Sequence, residues 1–194
     1  MSRSITAERL LDATRRCIVE RGVAGSTSRE ITAAAGTNLQ AITYHYGSKD
    51  ELVAVALLAS VREWVEPALA ELRGSGDAAT RMLTAVQALT SRFEQRSGDA
   101  PALLEALVQA TRHAQLRESV LALWADLRGE LAERIVELRR DGHVPTWVEP
   151  VAMASLLVAV AQGLVLQVTI DPDGPSMPDL AAQFATLLLQ AQAR

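Results

Sequence analysis

Apolar residues recur three and four positions apart along most of this chain, and short polar stretches containing glycine or proline separate the repeating segments. This is the period of an amphipathic α-helix with one buried side. Hydrophobic residues make up 49% of the chain and aromatic residues only 4%, and the excess of alanine, leucine and valine favours helix over strand. The pattern therefore predicts an all-α fold with about nine helices.

Two short helical segments joined at a glycine lie between Thr27 and Leu52. The hydroxyl of Thr27 or Ser28 can cap the start of the first segment, and Glu30 lies at the capping-box distance from Thr27. Gly36 ends this segment, because glycine most easily adopts the positive φ angle of a sharp helix-ending turn. The side predicted to face inward carries Ile31, Ala34 and Ala35.

The second segment runs from Leu39 to about Tyr46, follows a predicted cap at Asn38, and turns Ile42 and Tyr46 inward. Two helices of this length, joined by a turn containing glycine, form a helix-turn-helix whose second helix fits the DNA major groove. The residues left facing outward are polar, aromatic or small, the types that contact base edges and phosphates. They are Gln40, Ala41, Thr43, Tyr44 and His45.

This stretch resembles the DNA-binding domain of the TetR/AcrR family of transcriptional repressors. In that family a threonine-rich helix start, an Ile-Ala and Ala-Gly core, an aromatic-rich recognition helix and a lysine opening the fourth helix occur in this order. The residues that match the family pattern are Ile31, Ala35, Gly36, Asn38, Ile42, Tyr46, Ser48, Lys49 and Leu52. Many members carry tyrosines where this chain has Thr43 and His45, so phosphate contacts transfer less directly there.

The resemblance implies a three-helix DNA-binding head over residues 1–50 and a helical body for effector binding and dimerisation over residues 51–194. Contacts with base edges or sugars are expected from Gln40, Thr43 and Tyr44. Contacts with phosphates are expected from Thr27, Ser28, Tyr44, His45 and Lys49. Asn38 and Ala41 complete the predicted DNA-facing set.

Lys49 is the one lysine among nineteen cationic residues, and it follows Ser48, the predicted cap of a long fourth helix. A cation in a first helical turn opposes the helix dipole, whereas a DNA phosphate at the same helix end would explain it. Residues 1–52 carry a net charge of +1 and residues 53–194 a net charge of −5. DNA contacts would therefore come from individually placed residues rather than from a broad basic surface.

The helices around this stretch follow from the same period. The first is predicted over Thr6–Arg21 with Thr6 as its cap. In the body, the positions predicted to face inward include Met82, Leu83, Val86, Leu89, Phe93, Leu103, Leu104, Leu107 and Val108. The resemblance places an effector pocket among the central helices, beside Met82, Phe93, Leu104, His113 and Trp124. Ordinary core packing is the stronger alternative for each of these five, and a mostly apolar wall would favour a hydrophobic effector.

The run Val151–Ile170 carries no charge, and its length suffices for a transmembrane helix. Polar residues within the run, acidic flanks and missing basic anchors favour a helix buried in a core or interface instead. One chain cannot cover so much apolar surface, so two copies are expected to form a four-helix interface, which is where the resembling family dimerises. The residues assigned to it are Ser155, Ala159, Gly163, Phe184, Leu187 and Leu188.

The predicted function is a ligand-responsive transcriptional regulator, most simply a repressor, that binds a palindromic operator in double-stranded DNA as a homodimer. A small-molecule effector would release it. An all-helical enzyme is one alternative, but His45, His113 and His143 are scattered and no metal-binding spacing occurs. A membrane-associated helical protein is another, and it leaves the helix-turn-helix unexplained. No cofactor or metal is expected, and the single cysteine, Cys17, suits the cytoplasm.

Overall fold

A computed structural model of the chain describes the backbone of residues 4–190 and the side chains of residues 4–184. Over the described backbone the regular elements are α-helices and one 3₁₀ turn, Ser97–Asp99, without a β-strand. The helices are α1 (Ile5–Gly25), α2 (Ser28–Ala35), α3 (Leu39–Tyr46), α4 (Lys49–Arg73), α5 (Ala78–Arg96), α6 (Ala100–Ala110), α7 (Ala114–Arg140), α8 (Pro150–Ile170) and α9 (Met177–Gln190). The predicted all-α fold is confirmed.

The chain forms two compact units. The first comprises Met1–Glu63 and Pro101–Val120, and the second comprises Trp64–Ala100 and Leu121–Arg194. Helices α4 and α7 contribute to both units, because two of the three divisions fall inside them, and the third falls after the first residue of α6. The head boundary predicted at residue 50 falls in the first turn of α4, and it stays a prediction.

The first unit is centred on α1, α2 and α3, which pack against one another. Leu10 on α1, Ile31 on α2 and Leu52 on α4 have no exposed surface. Burying a side chain of this size stabilises the fold by about 1.5–3 kcal/mol. Three such residues give these short helices a common core, which helices of eight residues need because they are marginal in isolation.

Helix α1 is capped by Ser4, whose Oγ accepts the N–H of Ala7 at 3.2 Å. The prediction of Thr6 as the cap is therefore wrong by two residues. Both residues carry a hydroxyl, but Ser4 has the extended backbone, with ψ of 152°, from which a cap reaches the first turn. The regular helix breaks at Gly22, where φ is 69°, next to the predicted end at Arg21.

The core of the second unit is formed by four helices. Helix α4 contributes Leu72, α5 contributes Ala85, α7 contributes Ile135 and α8 contributes Val158, all buried in one cluster. Leu72 is fully buried at the last turn of α4, five residues beyond Pro67, which the helix accommodates without ending.

Arg134 on α7 is a charged residue buried in this unit, with 7% of its surface exposed. Its Nη1 donates a hydrogen bond to the carbonyl oxygen of Leu72 at 3.0 Å. Its Nη2 lies 2.9 Å from Oε1 of Glu137 and 3.1 Å from Oε2 of Glu133. The guanidinium therefore ties the last turn of α4 to α7 and neutralises part of the carboxylate charge of α7.

Four residues predicted to face inward are exposed: Ala34 on α2, Leu83 and Val86 on α5, and Val108 on α6. The buried residues of α5 are Ala78, Ala85 and Phe93, which are seven and eight positions apart. The buried side of α5 is therefore narrower than the five inward positions predicted for this helix suggested. The helical period alone shows which residues share a side, but the width that neighbouring helices cover depends on the tertiary packing.

Helix α8 is apolar on all sides, yet part of its surface is left uncovered by the residues that the structure describes. Ala154, Val158 and Val165 are buried, whereas Leu156 and Ile170 are 58% and 74% exposed. By length and composition the helix could cross a membrane: its mean hydropathy over the most apolar window is 2.1, and 17% of that window is buried. These exposed residues agree with the expectation that one chain leaves part of this helix uncovered, and its pairing with a second copy stays a prediction.

Candidate DNA-binding surface

The start of α2 is held by a capping box. Oγ1 of Thr27 accepts the N–H of Glu30 at 3.3 Å, and Oε2 of Glu30 accepts the N–H and the hydroxyl of Thr27 at 3.0 and 2.9 Å. These hydrogen bonds, with a smaller contribution from the ion pair to Arg21, lower the pKa of Glu30 below its usual 4.5. The predicted capping box is confirmed, and it fixes the helix start that carries Thr27 and Ser28.

The turn between α2 and α3 favours glycine because of its backbone conformation. Gly36 has φ of 61° and ψ of 45°, a left-handed conformation that side chains with a Cβ resist. A Cβ there would also lie 2.7 Å from Nη2 of Arg9, so the end of that flexible side chain would have to move. Oδ1 of Asn38 then accepts the N–H of Ala41 at 3.1 Å and starts α3, as predicted.

Helix α3 is anchored on one side and open on the other. Ile42 is 4% exposed, and the hydroxyl of Tyr46 donates to the carbonyl oxygen of Ala7 at 2.6 Å. Opposite these anchors, Tyr44 is 84% exposed, and Gln40 and Thr43 are also exposed. This is the arrangement a recognition helix needs, because its outer side chains can enter the major groove while its inner side holds the helix in place.

His45 lies at the edge of this surface, half-buried. Its ring packs edge-on against Tyr44 with 4.8 Å between centroids, and its Nε2 lies 3.5 Å from Oγ of Ser4. The imidazole is therefore placed between the start of α1 and the Tyr44 ring, where it restricts the orientations that Tyr44 can adopt.

The start of α4 presents the lysine. Gly47 turns the chain with φ of 81°, and Oγ of Ser48 accepts the N–H of Glu51 at 3.1 Å. Lys49 is the first residue of α4, with 33% of its side chain exposed and its Nζ 4.0 Å from Oδ1 of Asp50. A cation is thus held at a helix N-terminus, whose first N–H groups also favour an anion.

All nine predicted DNA-facing residues lie in the first unit, on α3 and on the starts of α2 and α4. The exposed ones are Thr27, Asn38, Gln40, Thr43 and Tyr44, and the half-buried ones are Ser28, Ala41, His45 and Lys49.

Two exposed side chains beside this set escaped the sequence analysis. Arg29 lies in the first turn of α2 and is exposed, next to Thr27 and Ser28. Its position directly after the cap could have identified it as a phosphate contact, because a cation beside a phosphate raises the affinity for DNA. Leu39, the first residue of α3, is 52% exposed. The helical period groups it with Ile42, so no sequence signal indicated its exposure.

The five residues proposed for an effector pocket differ in their surroundings. Met82, Phe93 and Trp124 belong to the second unit, and Leu104 and His113 belong to the first. Phe93 is 7% exposed and packs against Trp64 with ring centroids 5.9 Å apart. His113 is exposed, with Nε2 3.1 Å from Oε1 of Gln109, which places it on the surface of its unit.

The proposed interface residues lie on the uncovered side of the C-terminal helices, as far as their side chains are described. Ser155 is half-buried, Ala159 and Gly163 are exposed, and Phe184 is half-buried. No heavy atom lies within 4 Å of the position a Cβ would take at Gly163. Leu187 and Leu188 lie outside the residues whose side chains are described.

Comparison with known proteins agrees with this geometry. The model of the bacterial regulatory proteins of the tetR family matches residues 10–56. The model of the C-terminal domain of BetI-type transcriptional repressors matches residues 78–193, more than half of the chain. No curated protein sequence matches the chain.

Solved structures share the fold over nearly the whole chain. A protein described as a transcriptional regulator from Pseudomonas aeruginosa PAO1 is 22% identical with a TM-score of 0.83, covering 96% of this chain and 90% of that one. A transcriptional regulator from Rhodococcus sp. Rha1 is 27% identical with a TM-score of 0.78, covering 95% and 96%. One from Saccharomonospora viridis, solved in complex with choline, is 22% identical with a TM-score of 0.79, covering 93% of each chain.

A capped helix-turn-helix with an open recognition helix and family matches to both parts of the sequence lead to one conclusion. The chain belongs to the tetR family of bacterial transcriptional regulators, and it is a DNA-binding regulator rather than an enzyme.

Proposed function

We propose that this regulator is a repressor that binds a palindromic operator as a homodimer and leaves the DNA when a small molecule binds its helical body. The observation that carries the proposal is the recognition helix: Ile42 and Tyr46 anchor it, and Gln40, Thr43 and Tyr44 stay exposed. Two such helices related by a two-fold axis would contact half-sites about 34 Å apart. The match to the C-terminal domain of BetI-type repressors supports repression rather than activation.

Dimerisation is supported by the uncovered side of α8. Its exposed residues include Leu156 and Ile170 as well as the small residues Ala159 and Gly163. Exposing apolar surface to water costs free energy, about 25 cal/mol per Å². A second copy would cover it, and small residues would let the two α8 helices approach closely. The same pairing would account for the hydropathy of α8 in a protein of the cytoplasm.

The effector is proposed to be a small, largely apolar molecule bound in the body, with Met82, Phe93 and Trp124 of the second unit as candidate contacts. The choline complex of the Saccharomonospora viridis regulator makes a quaternary ammonium the competing class, since aromatic faces bind such cations. Here the aromatic pair Trp64 and Phe93 is buried, at 3% and 7% exposure, and the two rings pack on each other. This favours an apolar effector over a cationic one.

Release would follow from a difference in affinity between two states. An effector that binds the DNA-incompetent state about 100-fold more tightly shifts the equilibrium by roughly 3 kcal/mol. Helix α4 is continuous from Lys49 to Arg73, so the residue that presents a cation to the DNA and Leu72 of the second unit's core lie on one helix. That continuity makes α4 the proposed carrier of the signal.

The test combines DNA selection with sedimentation. Purified full-length protein should enrich a palindromic site from random double-stranded DNA, sediment as a dimer, and bind that site saturably at physiological salt. A Gln40→Ala, Thr43→Ala variant, changed at two exposed residues, should stay folded and lose the preference for the site. Addition of decanoate, as an apolar probe, or of choline should then identify the effector class by release. Failure to enrich any sequence would overturn the proposal.

A further inference from the structure

Leu39 is an apolar side chain at the tip of the recognition helix that the core does not cover. It is the first residue of α3 and is 52% exposed. Ile42, one turn further along the same side of the helix, is 4% exposed. The contrast shows that the core of the first unit ends between these two residues. Leu39 therefore projects beyond the packed part of α3.

The tip of this helix is the part that enters the major groove in a helix-turn-helix, where N-terminal residues of the recognition helix contact base edges. Side chains in a helix also point back toward its N-terminus, so Leu39 leans toward the groove floor rather than along the helix. Exposed polar residues flank it: Asn38 precedes it, Gln40 follows it and Thr43 lies one turn later.

A leucine side chain cannot donate or accept a hydrogen bond, which restricts what it can distinguish in the groove. Of the groups displayed there, the C5-methyl of thymine is the apolar one. We propose that Leu39 contacts a thymine methyl group and gives each half-site a preference for thymine at one position. This inference rests on the proposed DNA-binding function and adds a specificity-determining residue to it.

The size of the effect follows from the group involved. Removal of one methyl group from an apolar contact costs about 0.8 kcal/mol, which corresponds to about fourfold in affinity. A dimer makes the contact twice, so removal of both methyl groups should weaken binding by about 16-fold. Deoxyuridine provides this change, because it differs from thymidine by the C5-methyl group alone.

The experiment uses the full-length protein and the palindromic site that it selects from random DNA. Each thymine is replaced by uracil in turn, symmetrically in both half-sites, and affinity is measured by fluorescence anisotropy at fixed salt. At one position, uracil is expected to lower the affinity of the wild-type protein about 16-fold and that of the Leu39→Ala variant by less than about twofold. Other uracil effects, such as one at a base beside Thr43, should persist in the variant.

A matched control is Leu83→Ala. Leu83 is 59% exposed and lies on α5, so this variant should keep the full uracil penalty. Circular dichroism should show both variants to be folded, since neither leucine is buried. The inference would be overturned if Leu39→Ala lowered the affinity for the thymine site and for the uracil site by the same factor. It would also be overturned if the loss of affinity on uracil replacement did not depend on Leu39 at any position. In both cases the DNA-binding function would stand. Absence of any selected site would overturn that function itself.

Discussion

The position of Lys49 at the N-terminus of α4 suits its charge to binding an anion rather than to stabilising the fold. Its Nζ is 4.0 Å from Asp50, so the ion pair is weak, and the lysine is the first residue of α4. An exposed pair of this kind contributes little to stability. The position instead matches an anion site, because the free N–H groups of the first turn and the ammonium group would act on the same phosphate.

Lys49→Ala should therefore leave the fold intact and reduce the salt dependence of operator binding. Each lost phosphate contact lowers the slope of log K against log salt by about 0.9, and a dimer loses two, about 1.8 in all. Arg62→Ala is the control: Arg62 is exposed on α4 and lies about 20 Å further along the helix. Binding titrations at several salt concentrations give both slopes, and equal slopes for the two variants would remove Lys49 from the phosphate contacts.

Glu30 makes the start of α2 sensitive to acid. Its pKa is lowered first by hydrogen bonds from Thr27, so the folded chain holds the carboxylate more strongly than the unfolded chain does. This contribution to stability is present above the usual pKa of 4.5 and is lost as the pH falls through the lower folded value. Thermal unfolding should be measured from about pH 7 down to about pH 3. As the pH falls, the difference in melting temperature between wild type and Glu30→Gln should shrink. Glu94→Gln, at an exposed residue, should run parallel to wild type throughout.

At the scale of the helices, the sequence predicted most helix caps but not which side chains neighbouring helices bury. The caps at Thr27 and Asn38 follow from side chains that bond within three residues, so the local sequence identifies them, whereas at α1 it does not choose between the hydroxyls of Ser4 and Thr6. The exposure of Leu83, or of Leu39 at the tip of α3, depends on where a neighbouring helix ends. The helical period cannot show that limit. The ring contact between His45 and Tyr44 is equally invisible, since it depends on rotamers.

Arg134 connects two helices of the second unit, and its loss should be costly. With 9% of its side chain exposed, it neutralises Glu137 and donates to the carbonyl of Leu72. Removal of the guanidinium leaves the Leu72 carbonyl without this donor, which costs about 1–3 kcal/mol, whereas Glu137 keeps its ion pair with Arg81. Arg134→Met should lower the denaturant midpoint accordingly, whereas Arg140→Met should change stability by less than about 0.5 kcal/mol, since Arg140 is 74% exposed on the same helix. Similar midpoints for both variants would show that the Arg134 contacts do not stabilise α4 against α7.

At the scale of the whole molecule, the two predicted surfaces differ in whether one chain is enough to form them. The predicted DNA-binding surface is contained in one chain, since all of its residues lie in the first unit, on α3 and at the starts of α2 and α4. The proposed interface is not, because Ala159 and Gly163 are exposed on α8 among the residues that the structure describes. A single sequence indicates such a surface only through surplus hydropathy, which also fits a membrane helix. The small residues fit both explanations, because they let helices pack closely in a membrane as well, so purification without detergent is what separates the two.

Gly163→Leu tests the proposed interface directly. In one chain the new side chain would meet no atom near its Cβ, and replacing a helical glycine favours the helix by up to about 1 kcal/mol. The monomer should therefore stay folded. Against a second α8, the leucine would occupy the space of the close approach and weaken the dimer, which sedimentation at several concentrations would show as a raised dissociation constant. Gly129→Leu is a matched control, since Gly129 is exposed on α7 and a Cβ there also meets nothing within 4 Å; it should sediment as wild type. If both variants stay dimeric at the lowest concentration, the interface lies elsewhere than the small-residue side of α8.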